Sequence, residues 1–270
     1  MELYATLEQL ITVDNPFEKL SAFKPFYLRY LDNGFTVDYS SEPKIFEYPS
    51  YSRFCTIVDP KTVPKRNKLD TPEGQILLLH AVAHIEYSAI DLALDAAYRF
   101  RDVGEEFTRD WLKVAEDEVR HFEMIEALLK ELGSFYGACP VHDALFEASM
   151  RTLTLLERMA VVPRYLEANG LDATPLILAK LIPLKKNTMV EKIISALEVI
   201  LDEEIDHVQR GDRWFKIACE RQRCDSDIYF EIVERYYPRS FPRRVGINCK
   251  ARKLAGFSSE DLKQISLVDC

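Results

Sequence analysis

The 270-residue chain lacks the features that would assign it to several large classes of protein. No uninterrupted apolar run reaches the roughly 18 residues a membrane-spanning helix needs. The N-terminus has no basic stretch followed by an apolar core, so a cytoplasmic protein without a membrane partner is expected. The six cysteines, at 55, 139, 219, 224, 249 and 270, show no CxxC spacing, which argues for reduced thiols over a disulfide framework or a zinc site. Positive charge is in deficit: 35 Lys and Arg against 44 Asp and Glu give a net charge of −9, which speaks against nucleic acid as a partner across the whole protein. The exception is a basic segment of Arg239, Arg243, Arg244, Lys250, Arg252 and Lys253, read as pairing with the protein's own acidic surface in preference to phosphate. Histidine is scarce as well, with five in the chain, so where those five fall carries weight.

Two of the five close the same six-residue phrase: Glu116-Asp117-Glu118-Val119-Arg120-His121 and Asp202-Glu203-Glu204-Ile205-Asp206-His207. On a helix, Glu and His three positions apart share a face with Cβ atoms about 5–6 Å apart, so both reach one metal ion. Composition alone puts a Glu three before a given histidine roughly one time in ten, so a single pair says little. What counts is the company each pair keeps. Trp111, Val114, Ala115, Ile125, Leu128 and Leu132 share the face of Glu118 and His121. Leu197, Ile200, Leu201, Val208, Trp214 and Phe215 share that of Glu204 and His207. A carboxylate on a core face needs a compensating charge; buried ion pairs are the rival explanation to metal.

Upstream of each pair stands another acid on an apolar stripe. Glu86 precedes Glu118 by 32 residues, among Leu79, Val82, Ile90, Ala93 and Ala97; Glu167 precedes Glu204 by 37. The surroundings match: Ile85-Glu86 leads to Ile90-Asp91, and Leu166-Glu167 to Leu171-Asp172. The chain reads as a duplicated helix pair, its halves running about 72–132 and 143–222. Thr71-Pro72 opens the first helix, Gly104 separates it from the second, and Gly133 follows the second. The third contains Pro163, Gly170 and Pro175, which predicts a bend or a break near 170–175 with resumption to about 184. The fourth should run from about 188 to 222. Glu157, 47 residues before Glu204, stays open as an alternative to Glu167, because it would be the better placed if the third helix stopped near Gly170.

One Glu from each of two helices and a Glu-x-x-His pair from each of the other two is the ligand arrangement of ferritin-like di-iron bundles. The expected fold is therefore all-α: a ferritin-like four-helix bundle over 71–222, with an irregular aromatic-rich N-terminal extension (1–70) and a C-terminal helical extension (223–270). Asn33-Gly34 suggests a small hairpin in the first extension. His80 and His84 lie on the far side of their helix from Glu86 and are read as hydrogen-bonded to neighbouring helices; His142 is read as a loop or capping residue. Asp91 and Asp172 are candidates either for partners of the ligand histidines or for surface acids.

With those residues in view, the chain resembles the bacterial ferritin-like proteins of domain-of-unknown-function family 455 over about 70–257. The matching stretches are His80-Ala81-Val82-Ala83-His84-Ile85-Glu86, Ile90-Asp91-Leu92-Ala93-Leu94-Asp95-Ala96, Glu118-Val119-Arg120-His121-Phe122, Arg158-Met159-Ala160-Val161-Val162-Pro163-Arg164 with Leu166-Glu167-Ala168, Glu204-Ile205-Asp206-His207-Val208 and Arg213-Trp214-Phe215. That resemblance implies a ferritin-like bundle and no settled reaction. A more distant similarity is to the non-haem di-iron hydroxylase that oxidises a prenylated, methylthiolated adenosine in tRNA. It rests on the Glu and Glu-x-x-His pattern and on Leu166-Glu167-Ala168; Asn169-Gly170 departs from the Arg-Gly or Arg-Ser of those chains.

The functional expectation is a non-haem di-iron, O2-dependent oxidoreductase of the hydroxylase or oxygenase type. Two Fe (or Mn) ions would be held by Glu86, Glu118, His121, Glu167, Glu204 and His207. Its partners would be O2, a small or medium organic substrate and an electron donor, with a homodimer left open. Two other readings remain: a protein that handles or oxidises iron without an organic substrate, and a non-catalytic interaction module.

Overall fold

The computed structural model describes residues 1–268 and 270, and the fold is all-α. Among the described residues there is no strand, only the isolated bridges Glu2–Thr36, Ile57–Val141 and Arg243–Ser266. The chain divides into two compact units, Met1–Glu147 and Ala148–Cys270.

The first unit is built on a long helix pair, α3 (Pro72–Arg99) and α4 (Glu105–Glu131), preceded by α1 (Leu3–Ile11) and α2 (Pro16–Leu31). The boundaries follow the expected signals. Thr71 caps α3 by accepting from the Gly74 N–H, Pro72 occupies the first turn, and Gly133 takes a left-handed φ of +73° beyond α4. By length and composition α3 could cross a membrane, with mean hydropathy 1.4 over its most apolar window, but 72% of that window is buried inside the protein. Two faces of α3 are covered rather than one, which is why its apolar residues do not form a narrow stripe.

The N-terminal segment differs from expectation. Residues 3–11 and 16–31 are helical, with Glu2 and Asn15 as side-chain caps and Pro16 in the first turn of α2. Asn33-Gly34 does not turn a hairpin. Asn33 adopts the left-handed conformation (φ +53°) just past α2, its N–H bonds to the Tyr30 carbonyl at 3.0 Å, and the Gly34 N–H to the Arg29 carbonyl at 2.9 Å. That is a Schellman closure, a second use for a residue tolerant of positive φ followed by glycine. Before α3, the longest irregular stretch, with short 3-10 turns, lies between α2 and α3.

α5 (Ala144–Arg151) spans the boundary between the units. The second unit contains α6 (Leu155–Val161), a π-helical turn (162–167), α7 (Ala168–Leu181), α8 (Thr188–Gln222), α9 (Ile228–Tyr236), α10 (Cys249–Leu254) and α11 (Ser259–Ile265). α8 occupies the span expected of the fourth helix. The break in the third lies earlier than 170–175, at the π turn, where Pro163 cannot donate. Pro175 sits inside α7 without breaking it. The Leu171 carbonyl, which Pro175 cannot satisfy from one turn later, instead accepts from Asn248 Nδ2 at 3.2 Å.

Arg164, buried on the π turn, locks it in place. Its guanidinium donates to Asp212 (2.7 Å) and Asp261 (3.1 Å) and lies over the rings of Tyr229, Phe257 and Phe215 at 4.2, 4.7 and 5.0 Å. Pro163 presses on α8 where residue 211 is glycine; a Cβ there would come within 2.2 Å of the proline ring.

The expectation of reduced thiols fails at one pair: Cys249 and Cys270 form a disulfide, with Cα atoms 5.6 Å apart. The tail folds back beside Arg243, which exchanges backbone bonds with Ile265 and Leu267, and so brings together two cysteines 21 residues apart. No local spacing could announce that pairing. Cys55, Cys139, Cys219 and Cys224 are free.

Candidate metal centre

α3 and α4 together gather three of the expected ligands. Glu86, Glu118 and His121 are 4%, 0% and 0% exposed, and each offers a ligand atom within 4.8 Å of the others. His121 Nδ1 lies 3.2 Å from Glu86 Oε2 and 3.3 Å from Glu118 Oε2. Burial alone disfavours charge on the imidazole, but contact with Glu118 and Glu86 outweighs it and raises the His121 pKa to about 11. The pair of carboxylates therefore creates a place for positive charge in a volume closed to water. Hard carboxylate oxygens with one imidazole form a donor set suited to iron or manganese.

α8 carries the second pair. His207 is buried, and its Nδ1 lies 3.5 Å from Glu204 Oε1. Glu167 ends the π turn in the same unit, half-buried, with one carboxylate oxygen shielded from solvent. The rival acid has other employment. Glu157 lies in the first turn of α6, accepts from its capping residue Thr154 at 2.9 Å, and faces Arg235 at 3.4 Å.

The remaining histidines hold a loop. His80 Nε2 accepts from the Gly137 and Cys139 N–H groups at 2.9 and 3.2 Å; His84 bonds to the Tyr136 hydroxyl and the His142 carbonyl; His142 Nδ1 accepts from the Ala144 N–H. Burial lowers the pKa of both His80 and His84 to about 4.

Asp91 and Asp172 pair with cations and not with the candidate ligand histidines. Asp91 pairs with Lys19, itself fully buried, and accepts from Ser50 Oγ at 2.6 Å. Asp172 receives Arg252 (2.7 Å), Arg243 and the Asn248 N–H. Arg243 and Arg252 thus pair within the protein, as expected of the basic segment. Lys19 was not singled out from sequence, and Arg252 was read only as one of the basic segment, without its partner; the repeat of Asp five residues after Glu86 and Glu167 was the available signal.

The family described as "Protein of unknown function (DUF455)" matches residues 12–263, and the chain belongs to it. An "Uncharacterized protein" of Haemophilus influenzae is 36% identical over 280 residues, covering 99% of this chain and 95% of that protein. No solved structure matches the chain.

Proposed function

We propose that Glu86, Glu118, His121, Glu167, Glu204 and His207 are the ligands of a dinuclear centre in a ferritin-like bundle. Glu86, Glu118 and His121 form one part of that set, and Glu167 with the second Glu-x-x-His pair, Glu204 and His207, would supply the rest. The observation that carries the reading is the buried cluster of Glu86, Glu118 and His121, whose phrase on α4 recurs as Glu204 and His207 on α8. Four carboxylates would balance two Fe(II) ions, leaving a neutral resting centre. When bound, the ions would supply redox chemistry with O2, and the protein's share is geometry and access. Glu86 and Glu118 orient the imidazole of His121, the π turn sets the approach of Glu167, and the surrounding apolar side chains exclude water. The activity we assign is O2-dependent oxidation of a small or medium organic molecule in the cytoplasm.

The test begins with composition. After anaerobic reconstitution with Fe(II), elemental analysis should find about two metal ions per chain, and a value below about 0.3 overturns the centre. Crystallographic anomalous data at the iron and manganese edges would then locate the ions and name their ligands. O2 uptake with Fe(II) as the sole reductant distinguishes the two metal-based activities. Uptake that stops at a fixed ratio to iron identifies iron oxidation, and sustained uptake with an electron donor and an organic substrate identifies an oxygenase.

A further inference from the structure

Beside the candidate centre, and outside its ligand set, lies a buried tyrosine hydrogen-bonded to a histidine of fixed tautomer. His84 Nε2 is 2.7 Å from the carbonyl oxygen of His142. A carbonyl only accepts, so Nε2 carries the ring hydrogen and Nδ1 has the free lone pair. His84 Nδ1 is 2.9 Å from the Tyr136 hydroxyl, which must therefore be the donor. Tyr136 is 0% and His84 5% exposed, so water does not compete for the bond.

We propose that Tyr136 is a one-electron redox site and that His84 is its proton acceptor. On oxidation, Tyr136 gives up one electron and passes its hydroxyl proton to His84 Nδ1. The products are a neutral phenoxyl radical and an imidazolium whose Nε2–H stays on the His142 carbonyl. Moving the proton less than 3 Å along an existing hydrogen bond avoids a buried phenol radical cation, a species too costly to hold in an apolar interior. Return of one electron from a donor and of the proton from His84 restores both groups.

Its surroundings connect this pair to the metal ligands. The Tyr136 ring lies 5.1 Å from Phe122 and 5.5 Å from Tyr87, centroid to centroid, and those two are 5.5 Å apart. Tyr87 follows Glu86 and Phe122 follows His121, so aromatic contact runs from the chain beside two ligands to Tyr136. Resting on the proposed centre, this makes Tyr136 and His84 an entry point for electrons, and the iron ions that centre would hold, together with O2, would supply the oxidant for Tyr136.

Photochemical oxidation separates the two ideas. Full-length metal-free protein is illuminated with a ruthenium polypyridyl sensitiser and persulfate, frozen, and examined by electron paramagnetic resonance. A tyrosyl signal is expected that falls at least fivefold in Tyr136→Phe and persists in Tyr87→Phe. His84→Gln, in which no ring nitrogen accepts the proton, should lower the radical's yield or lifetime by a similar factor while circular dichroism stays unchanged. No tyrosyl signal, or one of equal size in Tyr136→Phe, overturns the proposal, as does an undiminished signal in His84→Gln if Tyr136→Phe does not fold. A second arm mixes the Fe(II)-loaded protein with O2. A radical seen under light and absent with iron and O2 discards the link to the metal centre and keeps the Tyr136–His84 site.

Discussion

His121 stands between two carboxylates in a volume closed to solvent, and any substitution there has to answer for their charge. His121→Ala and His207→Ala are expected to lose most bound metal, whereas His84→Ala keeps it, because His84 serves Tyr136 and the 142 carbonyl. Metal per chain by elemental analysis decides this, and the reverse pattern would place the ligands on the other face of α3. His121→Ala should also destabilise by about 3–5 kcal/mol in urea unfolding, the usual cost of stranding buried carboxylates. The other buried histidines give stability a pH dependence of definite sign. His80 and His84 have folded pKa values near 4, below the ordinary 6.5, so the unfolded chain binds their protons first. Their contribution is complete above pH 6.5 and is lost as pH falls towards 4, by up to about 3 kcal/mol per histidine. Melting temperatures from pH 7 to 4.5 should fall less steeply in His80→Gln than in the parent, and an identical slope would contradict the assignment.

Among the elements, the π turn is the one whose disruption should be most telling. Gly211→Ala would drive a methyl group into Pro163 and shift α8 against the turn that carries Glu167, at a cost of about 1–3 kcal/mol. Side by side, Glu167→Ala should lose metal and Glu157→Ala should keep it, given that Glu157 is engaged with Thr154 and Arg235; loss in Glu157→Ala alone reverses the ligand choice. Much of this level was readable from sequence, since caps and apolar periodicity are local. Thr71-Pro72 and the apolar repeat of α8 mark real boundaries. What escaped was settled by contacts distant in the chain. Pro175 looked like a breaker because nothing local reveals that Asn248 will satisfy the Leu171 carbonyl. Asn33-Gly34 serves a helix end as readily as a hairpin, and Cys249 meets Cys270 only because the tail folds back.

Each of the two units repeats one plan at the scale of the whole chain. A helix bearing a candidate ligand acid, Glu86 or Glu167, continues for five residues to an aspartate, and that aspartate takes a buried cation from the segment flanking the helix pair: Lys19 for Asp91, Arg252 for Asp172. The aspartates were legible beside the carboxylates, but the partner of neither was, because Lys19 and Arg252 lie in regions that share no sequence pattern. Asp172→Ala should destabilise the protein by about 3–5 kcal/mol, leaving Arg252 buried without its partner. Asp172→Leu combined with Arg252→Leu should recover a large part of that loss, and a double variant as damaged as the single one would show that packing, not charge, dominates there. Calorimetry on the three proteins reads both.

Those two clamps have a consequence for inheritance. A lysine without water around it cannot outlive its aspartate by many generations, nor the aspartate its lysine, so positions 19 and 91 are tied across 72 residues of chain, and 172 and 252 across 80. In descendants of this sequence the members of each pair should change together or not at all, even where the aromatic residues around them drift. The two ion pairs would then mark this fold in its relatives independently of the carboxylates and histidines of the candidate metal centre.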